Sequence, residues 1–316
     1  MKSNKKRKIY DCFTFFNELD LLEIRLNELN DAVDYFVLVE ATKTQTGLPK
    51  SLYFENNKKM FEKFNKKIIH VIVDDMPDIK RGAWVLENYQ RNQIMRGLTK
   101  CKDDDIIFIS DLDEIPNKND FPEIIKRLTS KRNLAEKVNR LINVKLIYFF
   151  NLFNTSKLTL KNKIIRKINR TIEKIFPNKN IVELKQEWYF YYLNGDSNHA
   201  AVTTRACKFI TLKNDLQSKP HNIRYIFSGN IINSGWHFSY LGGWTRINDK
   251  LKSLSDYENI DKKKEKEKII KKIKENKVLI LNSERKIKFV KIDNTFPKYI
   301  QENKNKLNMH ICDKYE

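Results

Sequence analysis

The stretch DDDIIFISDLDEIP, Asp103 to Pro116, carries a short apolar run (Ile106, Ile107, Phe108, Ile109) into a cluster of carboxylates. An uninterrupted apolar run of that length, bounded by turn residues, reads as a strand buried on both faces. Parallel sheets hold their ligands just beyond the carboxyl ends of such strands, where Asp111 and Asp113 fall. Their spacing of two predicts, for an extended chain, that both side chains point the same way. Two convergent carboxylates are a seat for Mg²⁺ or Mn²⁺, hard ions that share oxygen ligands with substrate phosphates. The same pair is also what a plain polar turn after a strand looks like, because Asp caps helices and stabilises turns.

Four further places bear on the choice. His237, in Gly235-Trp236-His237, supplies an imidazole suited to be the third ligand of a metal centre with Asp111 and Asp113; the alternative is a packed structural histidine. In Trp84-x-x-Glu87-x-Tyr89-x-Arg91, Glu87 and Arg91 stand at i, i+4, an ordinary helix-surface ion pair, or else Arg91 lies near phosphates, whose geometry a guanidinium matches. Asn17 and Glu18 follow the first strand, as a polar pair for a base or ribose or as a helix cap. Glu40, with Thr42, Thr46 and Gly47, lies in the loop after the second strand, which is otherwise a surface loop. Glu18, Glu40, Asp111 and Asp113 all fall at predicted carboxyl ends of strands, hence on one edge of one sheet. That coincidence predicts an enzyme transferring a group from a nucleotide-activated donor, the metal and Arg91 stabilising the leaving diphosphate.

The elements that must position these residues follow from the apolar periods. Lys8 to Phe16 reads as a strand, Leu19 to Leu29 as a helix with Leu19, Leu22, Leu26 and Leu29 on one face, and Asp34 to Ala41 as a second strand. A short helix near Lys58–Phe64, a strand at Lys67–Val73 and a helix over Ala83–Thr99 lead to the central strand. Strand–helix alternation of this kind predicts an α/β protein with a largely parallel sheet, the first part being a nucleotide-binding half. The second half changes character. Asn143–Phe153 is strand-like, EWYFYYLNGD and TTRACKFITL read as an antiparallel extension, and Asn230–Gly243 is a strand with a Gly-marked turn. Lys157–Phe176 places Ile164, Ile165, Ile168, Ile172 and Ile175 on one helical face against Lys and Arg; that stripe packs on the domain or lies on an anionic membrane surface. From Trp244 the chain is mostly helical, and Lys-rich Asp261–Lys277 reads as a solvated helix.

With 316 residues, the chain is long enough for one large α/β domain, or a domain plus a subdomain. Its formal charge of +21 favours anionic partners: nucleotide sugars, acidic lipid surfaces or nucleic acid. A nucleic-acid-binding or nucleotidyl-transfer protein is therefore the competing class, although no nucleic-acid-binding signature accompanies the charge. Cys12, Cys101, Cys207 and Cys312 are scattered without a C-x-x-C pair, which fits a reducing compartment and argues against a zinc or disulfide framework. MKSNKKRKIYDCF runs from basic residues straight into a strand, and no apolar run is long enough to span a bilayer, so the expected location is cytoplasmic or peripheral to a membrane.

The stretches IYDCFTFFNELDLLEIRLNEL, YFVLVEATKTQTGLPKSLYF, Trp84–Arg91, DIIFISDLDEIP and SGWHFSYLGG together resemble glycosyltransferase family 17 over about residues 8–245. The resemblance implies a GT-A-type α/β fold; with the elements read above, the expected architecture is a Rossmann-like, mostly parallel sheet with an antiparallel acceptor-side extension and a helical C-terminus. On this reading the chain divides into a catalytic domain over 1–245 and a helical extension over 246–316. The catalytic domain comprises a nucleotide-sugar half over 1–116 and an acceptor half over 117–245, the latter with a basic insertion near 154–180. It further implies a UDP-sugar donor (UDP-GlcNAc), a divalent metal on Asp111, Asp113 and His237, and inversion to a β-linkage on a glycan acceptor. Asn17, Glu18, Glu40, Thr42, Trp84, Arg91 and Asp111 are the expected donor-binding residues. Inversion is a single displacement and needs one carboxylate to deprotonate the acceptor hydroxyl; Glu114 is the first candidate and Asp196 the second. The basic helix and the expected location suit a cell-surface or virion glycan, built on a lipid-linked acceptor.

Overall fold

Alternate residues of the apolar strands enter two different cores, which is what burial on both faces requires. Strand β1 (Ile9–Phe15) sends Phe13 and Phe15 to one side and Tyr10 and Cys12 to the other. In β2 (Tyr35–Ala41), Phe36 and Leu38 join the first side, Val37, Val39 and Ala41 the second. In β4 (Ile106–Asp111), Ile106 and Phe108 oppose Ile107 and Ile109 in the same way. With β3 (Ile68–Val73) these strands form a parallel array in the order β3-β2-β1-β4. The computed structural model describes residues 7–78, 80, 82–130, 180–242, 246–248, 262–279 and 283–313. The strand-like 143–153, the basic helix at 157–176 and the insertion up to 179 lie outside the described residues.

Helix α1 (Leu19–Leu29) covers the first face with Leu22, Leu26 and Leu29, at the helical spacing its sequence shows. After α2 (Tyr53–Asn56) and a 3₁₀ turn at Lys58–Phe64 comes the other face, covered by α3 (Ala83–Asn92) and α4 (Ile94–Gly97). The single helix expected over Ala83–Thr99 is thus two, parted at Gln93. The tight turn of α4 brings Gly97 onto Val37 and Val71, so a β-carbon there would have to push the Val37 side chain aside.

The second half of the sheet is mostly antiparallel. Strand β4 is followed by β5 (Glu114–Ile115), α5 (Phe121–Thr129), β6 (Ile181–Phe190), β7 (Gly195–Lys208) and β8 (Ile231–Ser239). The order continues β4-β7-β6-β8-β5, antiparallel except for the parallel β6/β8 pair. Strands β4 and β5 are consecutive in the chain, with only Leu112 and Asp113 between them, yet three strands separate them in the sheet. The sheet therefore curls back on itself, and the Asp111–Glu114 loop is its seam. Toward the end of the chain, α6 (Phe209–Asn214), α7 (Lys262–Lys274), β9 (Lys288–Phe289) and α8 (Lys298–Glu302) complete the described elements. Strand β9 pairs with β7, and Ile292, Phe296, Ile300 and Leu307 pack into the same core as α1. No helix among the described residues is long and apolar enough to cross a membrane.

Candidate active site

A cleft of about 470 Å³ opens along the carboxyl edge of the parallel strands. Thr14, Phe15, Phe16 and Glu18 line it from the end of β1, Lys43, Thr44 and Gln45 from the loop after β2, and Asp111 to Glu114 from the end of β4. The antiparallel half contributes Trp188, Phe190, His237, Ser239 and Tyr240. This is where an open α/β sheet places its ligand. Although the whole chain is strongly cationic, the lining holds five carboxylates (Glu18, Glu87, Asp111, Asp113, Glu114) against three cations (Lys43, Lys50, Arg224).

The acidic loop is fixed from beneath by Arg25, which is fully buried. Its Nε and Nη2 donate to the two carboxylate oxygens of Asp11 at 2.7 and 2.6 Å, and Nη2 also donates to Ser110 Oγ at 2.6 Å. Its Nη1 donates to the carbonyls of Asp111, Leu112 and Glu114 at 2.8–3.0 Å. A buried guanidinium needs this degree of pairing. The second half holds the loop from its other side. Thr204 Oγ1 donates to the Glu114 carbonyl at 3.3 Å, Gln186 Nε2 to the Ile115 carbonyl at 2.8 Å, and the Phe238 amide to the Asp113 carbonyl at 2.9 Å.

Within this frame the two aspartates do not act as a matched pair. The chain turns at Leu112 and Asp113, so the alternation expected of an extended strand stops at Asp111. Asp111 accepts from Arg91 Nη2 at 2.6 Å, from Arg224 Nη2 at 2.7 Å and from Thr14 Oγ1 at 3.3 Å. Burial pushes its pKa up, but the charges of Arg91 and Arg224 outweigh this and hold it well below the usual carboxylate range. Asp113 instead meets His237, with Oδ1 and Nε2 3.6 Å apart. His237 sits opposite Glu114 in the β5/β8 pairing, stacks on Trp188 at 5.0 Å and 11°, and hydrogen-bonds Ser239 Oγ at 2.9 Å. Glu114 Oε2 accepts the Asp111 amide at 2.8 Å, and its pKa is raised by burial and by the neighbouring Asp111.

As for the metal, Asp113 and His237 converge as an oxygen and a nitrogen donor on a buried wall of the cleft, which suits a divalent ion. Among the described residues no group of three histidine, cysteine or carboxylate side chains is assembled as a metal centre. Asp111 stands apart because its oxygens are engaged by two guanidiniums.

Of the other residues singled out in the sequence, Glu18 and Trp84 line the cleft, Trp84 being 48% exposed. Arg91 is buried and meets the cleft lining through Asp111 at 2.6 Å and Glu87 at 3.4 Å. Glu40 does not line it: its carboxylate accepts the amides of Phe54 and Glu55 at 3.0 and 3.4 Å and pairs with His70 at 3.1 Å, tying α2 to the sheet. Thr42 is turned to the Val73 carbonyl. Asn17 also lies off the lining; its carbonyl accepts the Leu19 amide, and the helix cap is Glu18. Asp196 is drawn away by the pairing of β7 with β6 and β9 and accepts the Asn198 amide at 2.7 Å. The sequence reading missed Arg25, Arg224 and Gln186. A signal existed for the first: Arg25 interrupts an apolar helix face, and its partner Asp11 interrupts an apolar strand.

These features define the class: a mixed α/β protein with a curled open sheet, an architecture consistent with a glycosyltransferase α/β fold. Residues 1–151 match Glycosyltransferase family 17, so the family resemblance is borne out over that stretch. The chain is similar to the Beta-1,4-mannosyl-glycoprotein 4-beta-N-acetylglucosaminyltransferases of Rattus norvegicus and Homo sapiens, each 32% identical over 120 residues. The Mus musculus protein of the same name is 31% identical over the same length. Each alignment covers 36% of this chain and only 22% of the relative. The family match includes the acidic loop and Arg25; Arg224 and His237 lie beyond it.

Proposed function

We propose that the chain is an inverting, metal-dependent transferase of GT-A type that moves a sugar, GlcNAc from UDP-GlcNAc, to a hydroxyl of a glycan acceptor. The observation that carries the reading is an acidic cleft at the carboxyl edge of the parallel strands, in which Asp113 meets His237 within an otherwise cationic protein. The names of the similar proteins supply the donor sugar in this proposal. Asp113 and His237 are the residues that would hold Mn²⁺ or Mg²⁺, which when bound supplies positive charge to a donor diphosphate. Arg91 holds Asp111 in place, Glu18 and Trp84 bind the donor, and Glu114 accepts the acceptor proton. A carboxylate whose pKa is raised by burial is better matched to that task than an exposed one.

Calorimetric titration of UDP-GlcNAc with and without Mn²⁺ into wild type, Asp113→Ala and His237→Ala tests this. Metal-dependent binding in wild type, weakened at least tenfold in both variants, is expected. Binding that ignores Mn²⁺, or survives both substitutions, overturns the assignment.

A further inference from the structure

Arg224 is held differently from the other cations around the acidic loop. It lies on the 3₁₀ turn Pro220–Tyr225, outside the sheet, and its side chain keeps 29% of its exposure within the cleft lining. Its guanidinium bridges two carboxylates, Nη2 to Asp111 Oδ2 at 2.7 Å and Nη1 to Glu87 Oε1. Arg91 grips Asp111 from behind at 2.6 Å with a side chain only 2% exposed, and it is anchored on α3. Asp111 thus carries one charge and two cations, of which one is sealed in the core and the other faces the cleft.

We propose that Arg224 is an exchangeable anion receptor: a phosphate or diphosphate group entering the cleft takes the guanidinium edge now held by Asp111, while Arg91 keeps Asp111 in position. The exchange conserves charge-assisted hydrogen bonds, since carboxylate and phosphate oxygens match the same planar fork. The incoming group carries more charge than Asp111, which favours the exchange. Because the lining holds more carboxylates than cations, an entering anion gains from a cation it can pair with directly. The naming of the anion as the diphosphate of a nucleotide sugar rests on the proposed function; the exchange itself does not.

The two carboxylates that hold Arg224 compete with the ligand, so removing either should strengthen anion binding, whereas removing Arg224 should weaken it. Inorganic pyrophosphate is titrated into the full chain in metal-free, EDTA-containing buffer, for wild type, Arg224→Gln, Asp111→Asn, Glu87→Gln and the Arg224→Gln/Asp111→Asn double variant. Circular dichroism checks the fold of each. The expected result is at least tenfold weaker binding in Arg224→Gln, severalfold tighter binding in Asp111→Asn and Glu87→Gln, and a double variant no tighter than Arg224→Gln. If Asp111→Asn does not fold, Glu87→Gln carries the same contrast. Absence of pyrophosphate binding in wild type, unchanged binding in Arg224→Gln, or weaker binding in the folded carboxylate variants overturns the exchange. Pyrophosphate binding with the expected pattern, in a protein that ignores UDP-GlcNAc and Mn²⁺, would leave the exchange standing and remove the glycosyltransferase reading.

Discussion

The parallel and antiparallel halves of the sheet reach the same cleft by different means. In the parallel half, β1, β2 and β4 pair in unbroken register, and their ends present Thr14, Glu18, Thr44 and Asp111 side by side. In the antiparallel half, β6 shifts register between Glu183 and Lys185 and again between Glu187 and Tyr189. Tyr191, Gly235 and Tyr240 have positive φ there, at 65°, 96° and 58°. These irregularities turn Trp188, His237 and Ser239 toward the acidic loop. Regular strands set carboxylates along one edge; bulges and left-handed residues aim individual rings at them. The seam between the halves is the loop itself, held by Arg25 from one side and by Thr204 and Gln186 from the other.

If this division of labour is right, the hub of the regular half should be the most costly to remove. Arg25→Leu leaves Asp11 buried and unpaired and the loop carbonyls without their donor, and should cost about 3–5 kcal/mol, read from urea denaturation. A loss below about 1 kcal/mol would mean that the second half alone holds the loop. Gly235→Ala probes the irregular half. The added methyl meets the Ile115 carbonyl and Gln186 at a φ that L residues rarely adopt, and a destabilisation of about 1–3 kcal/mol is expected. Hydrogen exchange should show the opening confined to β5, β6 and β8, with β1 and β2 still protected; uniform loss would contradict the separation of the halves.

The smallest effect concerns the segment that closes over the first core. Asp20 on α1 pairs with His310 at 3.0 Å and with Arg246. Its pKa is lowered from the ordinary 3.8 to about 2, chiefly by the hydrogen bond from His310, with burial opposing and Arg246 assisting. A carboxylate more acidic in the folded than in the unfolded chain adds stability above pH 3.8, and that stability disappears as pH falls through about 2. Asp20→Asn should lower stability at neutral pH by under about 1 kcal/mol, because the pair is partly exposed. The gap from wild type should close between pH 4 and 2; a gap that persists at pH 2 would mean packing, not ionisation, is responsible.

How legible all this was depends on the range of the forces involved. Strands β1, β2 and β4 and helix α1 were readable to within a residue or two, because a buried strand needs an apolar run and a packed helix needs its stripe. The carboxyl-edge position of Asp111 and Asp113 followed from the same periods. Glu40 was misread because its placement was right and its partners were invisible: the amides of Phe54 and Glu55 come to it through a fold of the chain no local pattern announces. Asp196 failed as a candidate for a related reason, since strand pairing in the second half decides which way a residue of β7 faces.

By itself, then, the sequence determined the α/β alternation, the edge on which the carboxylates lie and the family resemblance of the first half, all of which depend on residue type at short spacing. Only the tertiary structure decided which carboxylate does what. Asp111 and Asp113 are two residues apart and alike in chemistry, yet one is locked to Arg91 and Arg224 and the other faces His237, partners 20 to 124 positions away in the chain. A carboxylate's role is set by the charge nearest to it in space, and a curled sheet brings together charges that the chain keeps far apart.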